Sequence, residues 1–96
     1  MIEAFLYFTG EGPARKVAAE LEEGGYATYV DPSPPGRWLL EAVNRAVPTP
    51  EHIAAMGAAL RNLARPNNGI YDGWWAVEPP EEEFGAELPE PEPAEA

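Results

Sequence analysis

The chain has 96 residues, no cysteine and a formal net charge of −11 at neutral pH, which suits one small domain. Without cysteine there can be no disulfide, no thiolate catalysis and no cysteine-based metal site. An acidic surface repels phosphate backbones, so the charge disfavours direct binding of nucleic acid.

The first predicted element is a strand over residues 2–9, which carry large side chains at nearly every position. Such a run is typical of a central strand with at least partial cover on both faces. Side chains alternate across a strand, so the even positions from Ile2 to Phe8 share one face. We expect the opposite face, with Phe5 and Tyr7 among polar residues, to be less buried.

A helix is predicted next, beginning at Pro13 because proline is tolerated at the first helical position. We expect it to end at Gly24-Gly25, which precede Tyr26. Its apolar residues recur at the spacing of one narrow helical stripe. That stripe consists of Ala14, Val17, Ala18 and Leu21.

Two strands are predicted in the middle of the chain. The first covers residues 26–30, and the second runs from Arg37 to about Val47. Three prolines and a glycine predict that residues 31–36 form a loop without ladder pairing. A helix is the competing prediction for residues 38–46, and we favour a strand because the topology requires one.

A second helix and a last strand complete the prediction. Thr49 is the expected N-cap and Pro50 the first helical residue, while Pro66 forbids continuation. After a turn at residues 67–69, the last strand contains Gly73, which predicts a β-bulge. The apolar face of this helix would consist of Ile53, Met56, Gly57, Leu60, Leu63 and Ala64.

The order strand, helix, strand, strand, helix, strand predicts an α+β ferredoxin-like sandwich. In this βαββαβ arrangement, a four-stranded antiparallel sheet carries two helices on one face. The other face would expose Phe5, Tyr7 and one side of the strand that begins at Arg37. It would also carry Tyr71 or Trp75, depending on how the bulge sets the register.

The composition changes near residue 80. Residues 81–96 contain seven acidic residues, no basic ones and several prolines. Such a segment cannot form a core, so we predict a disordered acidic tail, with Phe84 able to attach its start to the sheet. Residues 1–80 are predicted to form the ferredoxin-like domain, with ten acidic and six basic residues.

No catalytic set of nucleophile and base can be assembled from this sequence. His52 is the one histidine, expected to be exposed in the first turn of the second helix, and Ser33 is the one serine. We predict no metal site, because the carboxylates before the tail are scattered. We predict no cofactor either, because the glycines lack phosphate-binding spacing. The chain is therefore predicted not to be an enzyme. Its N-terminus shows no signal or membrane-spanning pattern, which favours a cytoplasmic location.

The sequence Tyr71-Asp72-Gly73-Trp74 resembles a motif of the regulator of ribonuclease activity B family. The Gly25-Tyr26 step, the proline-rich loop and the helix start at residues 48–51 are similar to that family too. The resemblance implies a ferredoxin-like fold and a non-enzymatic protein that binds the endonuclease ribonuclease E and reduces its cleavage of RNA. Trp75 is a departure, since a glycine is more usual after the motif.

These observations predict a small protein-binding regulator, with Gly25, Tyr26 and Gly73 in structural roles. The tetrapeptide at residues 71–74 is expected mainly to shape its strand, and direct contact with a partner is the alternative role. Two alternative functions stay open: stacking of single-stranded RNA on the open sheet face, and a ligand-binding homodimer through that face. The candidate contact residues are Phe5, Tyr7, Tyr71, Asp72, Trp74 and Trp75.

Overall fold

The computed structural model describes residues 1–77, so the predicted tail at residues 81–96 lies outside the described part. The elements are β1 (Ile2–Phe8), α1 (Glu11–Glu23), β2 (Ala27–Ser33), β3 (Arg37–Asn44), α2 (Pro50–Ala64), a 3-10 turn (Arg65–Asn67) and β4 (Gly69–Ala76). The strands form one antiparallel sheet in the order β2-β3-β1-β4. The predicted ferredoxin-like fold is confirmed.

One apolar core lies between the sheet and the two helices, which therefore share a face of the sheet. The even-numbered side of β1 is buried, and so is the predicted stripe of α1. Burial of these apolar side chains away from water is the main favourable contribution to folding. The core consists of Ile2, Ala4, Leu6 and Phe8 from β1, Leu40 and Ala42 from β3, Ala14, Val17, Ala18 and Leu21 from α1, and Met56, Leu60 and Ala64 from α2.

The α1 helix begins earlier than predicted. It starts at Glu11 with Gly10 as the N-cap, so the prediction that Pro13 is the first helical residue was wrong. The N–H groups of the first turn have no intrahelical acceptor, so Pro13 fits there without loss of a hydrogen bond. The first helical bond runs from the Ala14 N–H to the Gly10 carbonyl.

The end of α1 explains why glycine and tyrosine follow it. The Gly25 N–H donates to the Glu22 carbonyl at 3.1 Å, and the Tyr26 N–H donates to the Leu21 carbonyl at 3.0 Å. This pair of bonds defines a Schellman motif, in which the residue after the cap takes a positive φ. Gly25 has a φ of +97°, and Tyr26 packs against the core. Both residues therefore fix the connection into β2.

The prediction of an unpaired loop from Asp31 onwards was wrong. β2 continues to Ser33, with Pro32 opposite Trp38 of β3. β2 lies at the edge of the sheet, where the missing N–H of a proline can face solvent instead of a partner strand. The turn is limited to residues 34–36. β3 is a strand, as favoured over a helix, although it ends at Asn44 and not near Val47.

β4 contains the predicted bulge. Leu6 of β1 pairs with Tyr71, whereas the preceding Phe5 pairs with Gly73, so Asp72 is the extra residue. Gly73 has a φ of +126°, which L side chains rarely adopt. The bulge places Tyr71 on the helix side of the sheet and Trp75 on the opposite side.

Gly73→Ala is expected to lower the free energy of unfolding by about 1–2 kcal/mol, because alanine is strained at this φ. Space is not the cause, since nothing lies within 4 Å of the added Cβ. Urea unfolding measures the change. The control is Gly12→Ala in α1, where the Cβ also meets nothing within 4 Å; an equal loss in both variants would contradict the backbone explanation.

No helix in the described range of residues meets the length and hydrophobicity that crossing a bilayer demands.

Candidate functional site

The sheet face opposite the helices, called the open face below, combines aromatic, aliphatic and charged side chains. β1 lies near its centre, between β3 and β4. Neither described helix covers it, because both pack on the core side. The strand pairing assigns to the open face Glu3, Phe5 and Tyr7 of β1, Tyr29 and Asp31 of β2, Arg37, Leu39, Glu41 and Val43 of β3, and Ile70 and Trp75 of β4.

Trp75 is the most prominent aromatic side chain of the open face. It is 60% exposed, and its ring meets that of Phe5 edge to face, with 6.1 Å between centroids and 76° between planes. Its Nε1–H donates a hydrogen bond to Glu3 Oε1 at 3.0 Å. These two contacts hold the indole in place while much of its surface stays accessible.

The positively charged side chain of Arg37 lies over the Tyr7 ring on the same face. The Arg37 guanidinium carbon lies 4.6 Å from the centroid of the Tyr7 ring, within the range of a cation–π interaction. Arg37 is exposed and Tyr7 is half-buried. The contact shows that a guanidinium fits against an aromatic ring of the open face.

Three carboxylates accompany these rings. Glu41 lies beside Phe5 on one neighbouring strand and Tyr29 on the other. Partial burial raises the pKa of Glu41, and the negative charges of Glu3 and Asp31 raise it further. Glu41 is therefore close enough to both Glu3 and Asp31 to be repelled by each of them. No salt bridge among the described residues neutralises any of them.

Glu41→Gln is expected to raise the melting temperature near pH 7 by about 1–3 °C. Because the pKa of Glu41 is raised in the folded protein, its contribution to stability is complete below the ordinary value of 4.5 and lost as the pH rises through the raised value. Glutamine removes that loss, so the gain should disappear at about pH 4. Thermal melts at both pH values measure it, with the exposed Glu20→Gln in α1 as control; a lower melting temperature near pH 7 would contradict the repulsion.

Two candidate residues lie on the helix side instead. Tyr71 is opposite Leu6 and packs against the core, with the Arg61 guanidinium 5.2 Å from its ring centroid. Burial raises the pKa of Tyr71, and Arg61 opposes that shift. Trp74 is opposite Ala4 and is 38% exposed. Asp72 is exposed at the bulge.

The candidate residues therefore do not form one cluster. Phe5, Tyr7 and Trp75 share the open face. Glu3, Asp31 and Glu41 were not singled out from the sequence, although they lie among these rings. Their positions in three different strands leave no motif to recognise, and only the strand register brings them together.

Of the two residues considered for catalysis, Ser33 pairs with Arg37 at the end of β2, whereas His52 lies in α2, away from the open face. His52 is in the first turn of α2, where its backbone N–H donates to Thr49 Oγ1 at 3.1 Å. It is partly buried, so the expectation of full exposure was wrong. Within residues 1–77, no group of three or more His, Asp or Glu could hold a metal ion.

Comparison with known proteins identifies a family for most of the chain. Residues 1–75 match the family model described as regulator of ribonuclease activity B. The matched range runs from the start of the chain through Trp75 and so includes all residues assigned to the open face. No curated protein and no solved structure matches the chain.

Proposed function

Because the chain belongs to the regulator of ribonuclease activity B family, we propose that it binds an RNA-processing endonuclease of the ribonuclease E type directly and lowers its activity. Family membership gives the coarser function, regulation of ribonuclease activity. The open face supports the finer one, since it presents an exposed tryptophan already fixed by its neighbours. This single observation carries the proposal of direct contact.

The chemistry of the open face favours a protein partner. Tryptophan and tyrosine are enriched at the centres of protein interfaces, where a few such residues supply most of the binding energy. Trp75 and Tyr29 are 60% and 56% exposed, so both offer apolar area for burial. An edge-to-face contact with Phe5 restricts the Trp75 ring before binding, which lowers the entropy cost of ordering it in a complex.

The non-enzymatic part of the proposal rests on the sequence. One histidine, one serine and no cysteine leave few groups for nucleophilic or general base catalysis. Regulation would then follow from occupancy of a surface on the endonuclease. We place this encounter in the cytoplasm.

Single-stranded RNA is the second candidate ligand. The rings of Phe5, Tyr7 and Trp75 lie on one sheet face, an arrangement on which bases can stack. Glu3, Asp31 and Glu41 lie among those rings and would repel the phosphates. We therefore rank RNA below a protein partner.

The proposal is tested with the full chain and a purified ribonuclease E-type endonuclease from the same organism. Calorimetry measures binding without RNA, and a fluorogenic RNA substrate measures cleavage. We expect saturable binding, with cleavage falling over the same concentration range. No binding at tens of micromolar, or inhibition that arises only through capture of the RNA substrate, would overturn the proposal.

Two controls address the alternatives. Titration of a labelled single-stranded oligonucleotide at low salt tests the RNA interpretation, and we expect no saturable binding. Light scattering over a range of concentrations tests the homodimer through the open face. A stable dimer that dissociates on substitution of Phe5 would support that alternative instead.

A further inference from the structure

We infer that the open face receives a basic segment of its partner protein, with Lys or Arg side chains beside Glu3, Asp31 and Glu41 and apolar side chains against Phe5 and Trp75. The inference rests on the proposed function, because it specifies which surface of the endonuclease the open face would contact. It concerns the chemistry of the partner, which family membership does not give.

The three carboxylates form a diagonal row across three adjacent strands. Glu41 of β3 is level with Phe5, whereas Glu3 is two residues before Phe5 on β1. On β2, Tyr29 is the pairing partner of Glu41, and Asp31 lies two residues beyond Tyr29. Along the direction of the strands, Asp31 and Glu3 are thus displaced to opposite sides of Glu41. Diagonal neighbours in a sheet are about 7–8 Å apart. An extended segment presents every second side chain at nearly the same spacing, about 6.6 Å, so basic residues at alternate positions would meet the row.

No salt bridge within residues 1–77 engages the row: Arg37, a diagonal neighbour of Asp31 by register, has its guanidinium over the Tyr7 ring. Glu3 accepts the Trp75 N–H, and the salt bridge that the described residues contain joins Arg15 to Glu11 in α1. The spacing is too wide for a shared metal ion, in agreement with the absence of a metal-binding group in this range. A peptide with several basic side chains can place a separate cation beside each carboxylate of the row, which a single ion cannot do.

Arg37 shows how a basic side chain would sit on this face. Its guanidinium lies 4.6 Å from the centre of the Tyr7 ring. Arginine combines such stacking with hydrogen bonds to carboxylates. A partner arginine next to Glu41 would have Phe5 and Tyr29 on either side. It could therefore stack on an aromatic ring and donate hydrogen bonds to the Glu41 carboxylate. Burial is the main cause of the raised pKa of Glu41, and partner cations would relieve the repulsion by the other two carboxylates of the row that adds to it.

Charge disfavours two other occupants of the open face, namely a second copy of the chain and residues 81–96 of the same chain. A second copy would bring one row of carboxylates towards another. Residues 81–96 of the same chain carry seven acidic residues and no basic ones, so they have the same sign as the row. Like charges that face each other across an interface oppose association. A basic segment of another protein is the occupant that the charges favour.

The test uses a labelled extended peptide with arginine at alternate positions and leucine between them, titrated with the full-length protein by fluorescence anisotropy. A peptide with glutamate in place of arginine controls for apolar binding. The key variant is the triple substitution E3Q/D31N/E41Q, in which glutamine at position 3 keeps an acceptor for Trp75. The matched control, E20Q/E23Q/E51Q, removes three charges from exposed helix positions.

We expect the open-face triple variant to bind the arginine peptide roughly tenfold more weakly at low salt, since each exposed charge pair contributes modestly. The control variant should stay within about twofold of wild type. Equal losses in both variants would overturn the inference, because they would show that only net charge or the acidic C-terminal residues attract the peptide. Equal affinity for the glutamate peptide would overturn it as well.

The same variants separate this inference from the proposed function. Titration against the endonuclease should show weaker binding by the open-face triple variant and a smaller dependence on salt. Wild-type binding with no change in the triple variant would refute the basic segment and leave direct regulation standing. No wild-type binding would refute direct regulation, and the peptide titration would then decide the inference by itself.

Discussion

Trp75→Ala is expected to weaken binding to the endonuclease at least thirtyfold, about 2 kcal/mol, as for a central aromatic residue of an interface. The Trp75 side chain is 60% exposed and is held by the Phe5 ring and the Glu3 carboxylate. Its removal takes away apolar contact area and also frees Phe5. Calorimetry with the purified endonuclease measures the loss, and the cleavage assay should show the same shift in potency.

Trp74→Ala provides the matched control for this variant. The two tryptophans are neighbours in β4, but Trp74 lies opposite Ala4 on the helix side, whereas Trp75 lies opposite Glu3 on the open face. We expect Trp74→Ala to bind within about threefold of wild type. A larger loss of affinity in Trp74→Ala than in Trp75→Ala would contradict the account, because it would place the interface on the helix side of the sheet.

Gly69→Ala is expected to lower the free energy of unfolding by about 2–3 kcal/mol, the cost of overpacking a core. A Cβ at this position would lie 2.4 Å from Cε2 of Phe8. The Phe8 side chain is 1% exposed and has other core residues around it, so its ring cannot move away without disturbing the sheet. Urea or thermal unfolding measures the effect.

The control for Gly69→Ala is Gly24→Ala at the C-terminus of α1. An added Cβ there meets the Leu21 carbonyl oxygen at 3.5 Å, an ordinary contact. We expect a change within about 1 kcal/mol. If Gly69→Ala were no more destabilising than this control, the result would contradict a close contact between the backbone of Gly69 and the Phe8 ring.

Local patterns in the sequence were sufficient to predict most of the fold. The alternation of β1 predicted which side chains are buried, and the spacing in α1 predicted its apolar stripe. Thr49 was predicted as the N-cap of α2, and its side chain accepts the His52 N–H. The extension of β2 through Pro32 could not be predicted in this way, because it depends on the edge position of that strand, which is a property of the whole sheet.

The open face was predicted less completely. Phe5 and Tyr7 follow from alternation alone. The choice between Tyr71 and Trp75 depends on which residue the bulge leaves unpaired, and the strand register shows that this residue is Asp72. Glu3, Asp31 and Glu41 become neighbours only when three strands are aligned, so no linear pattern marks them.

The most direct test of binding through the open face is a proton–nitrogen NMR titration of the labelled full chain with the endonuclease. The chain has three tryptophans, so each indole N–H reports on one place in the sheet. Trp75 lies on the open face, whereas Trp38 and Trp74 lie on the helix side, opposite Phe8 and Ala4. We expect the Trp75 indole signal to shift or to lose intensity ahead of the other two. Changes at Trp38 and Trp74 with an unaltered Trp75 signal would contradict binding through the open face.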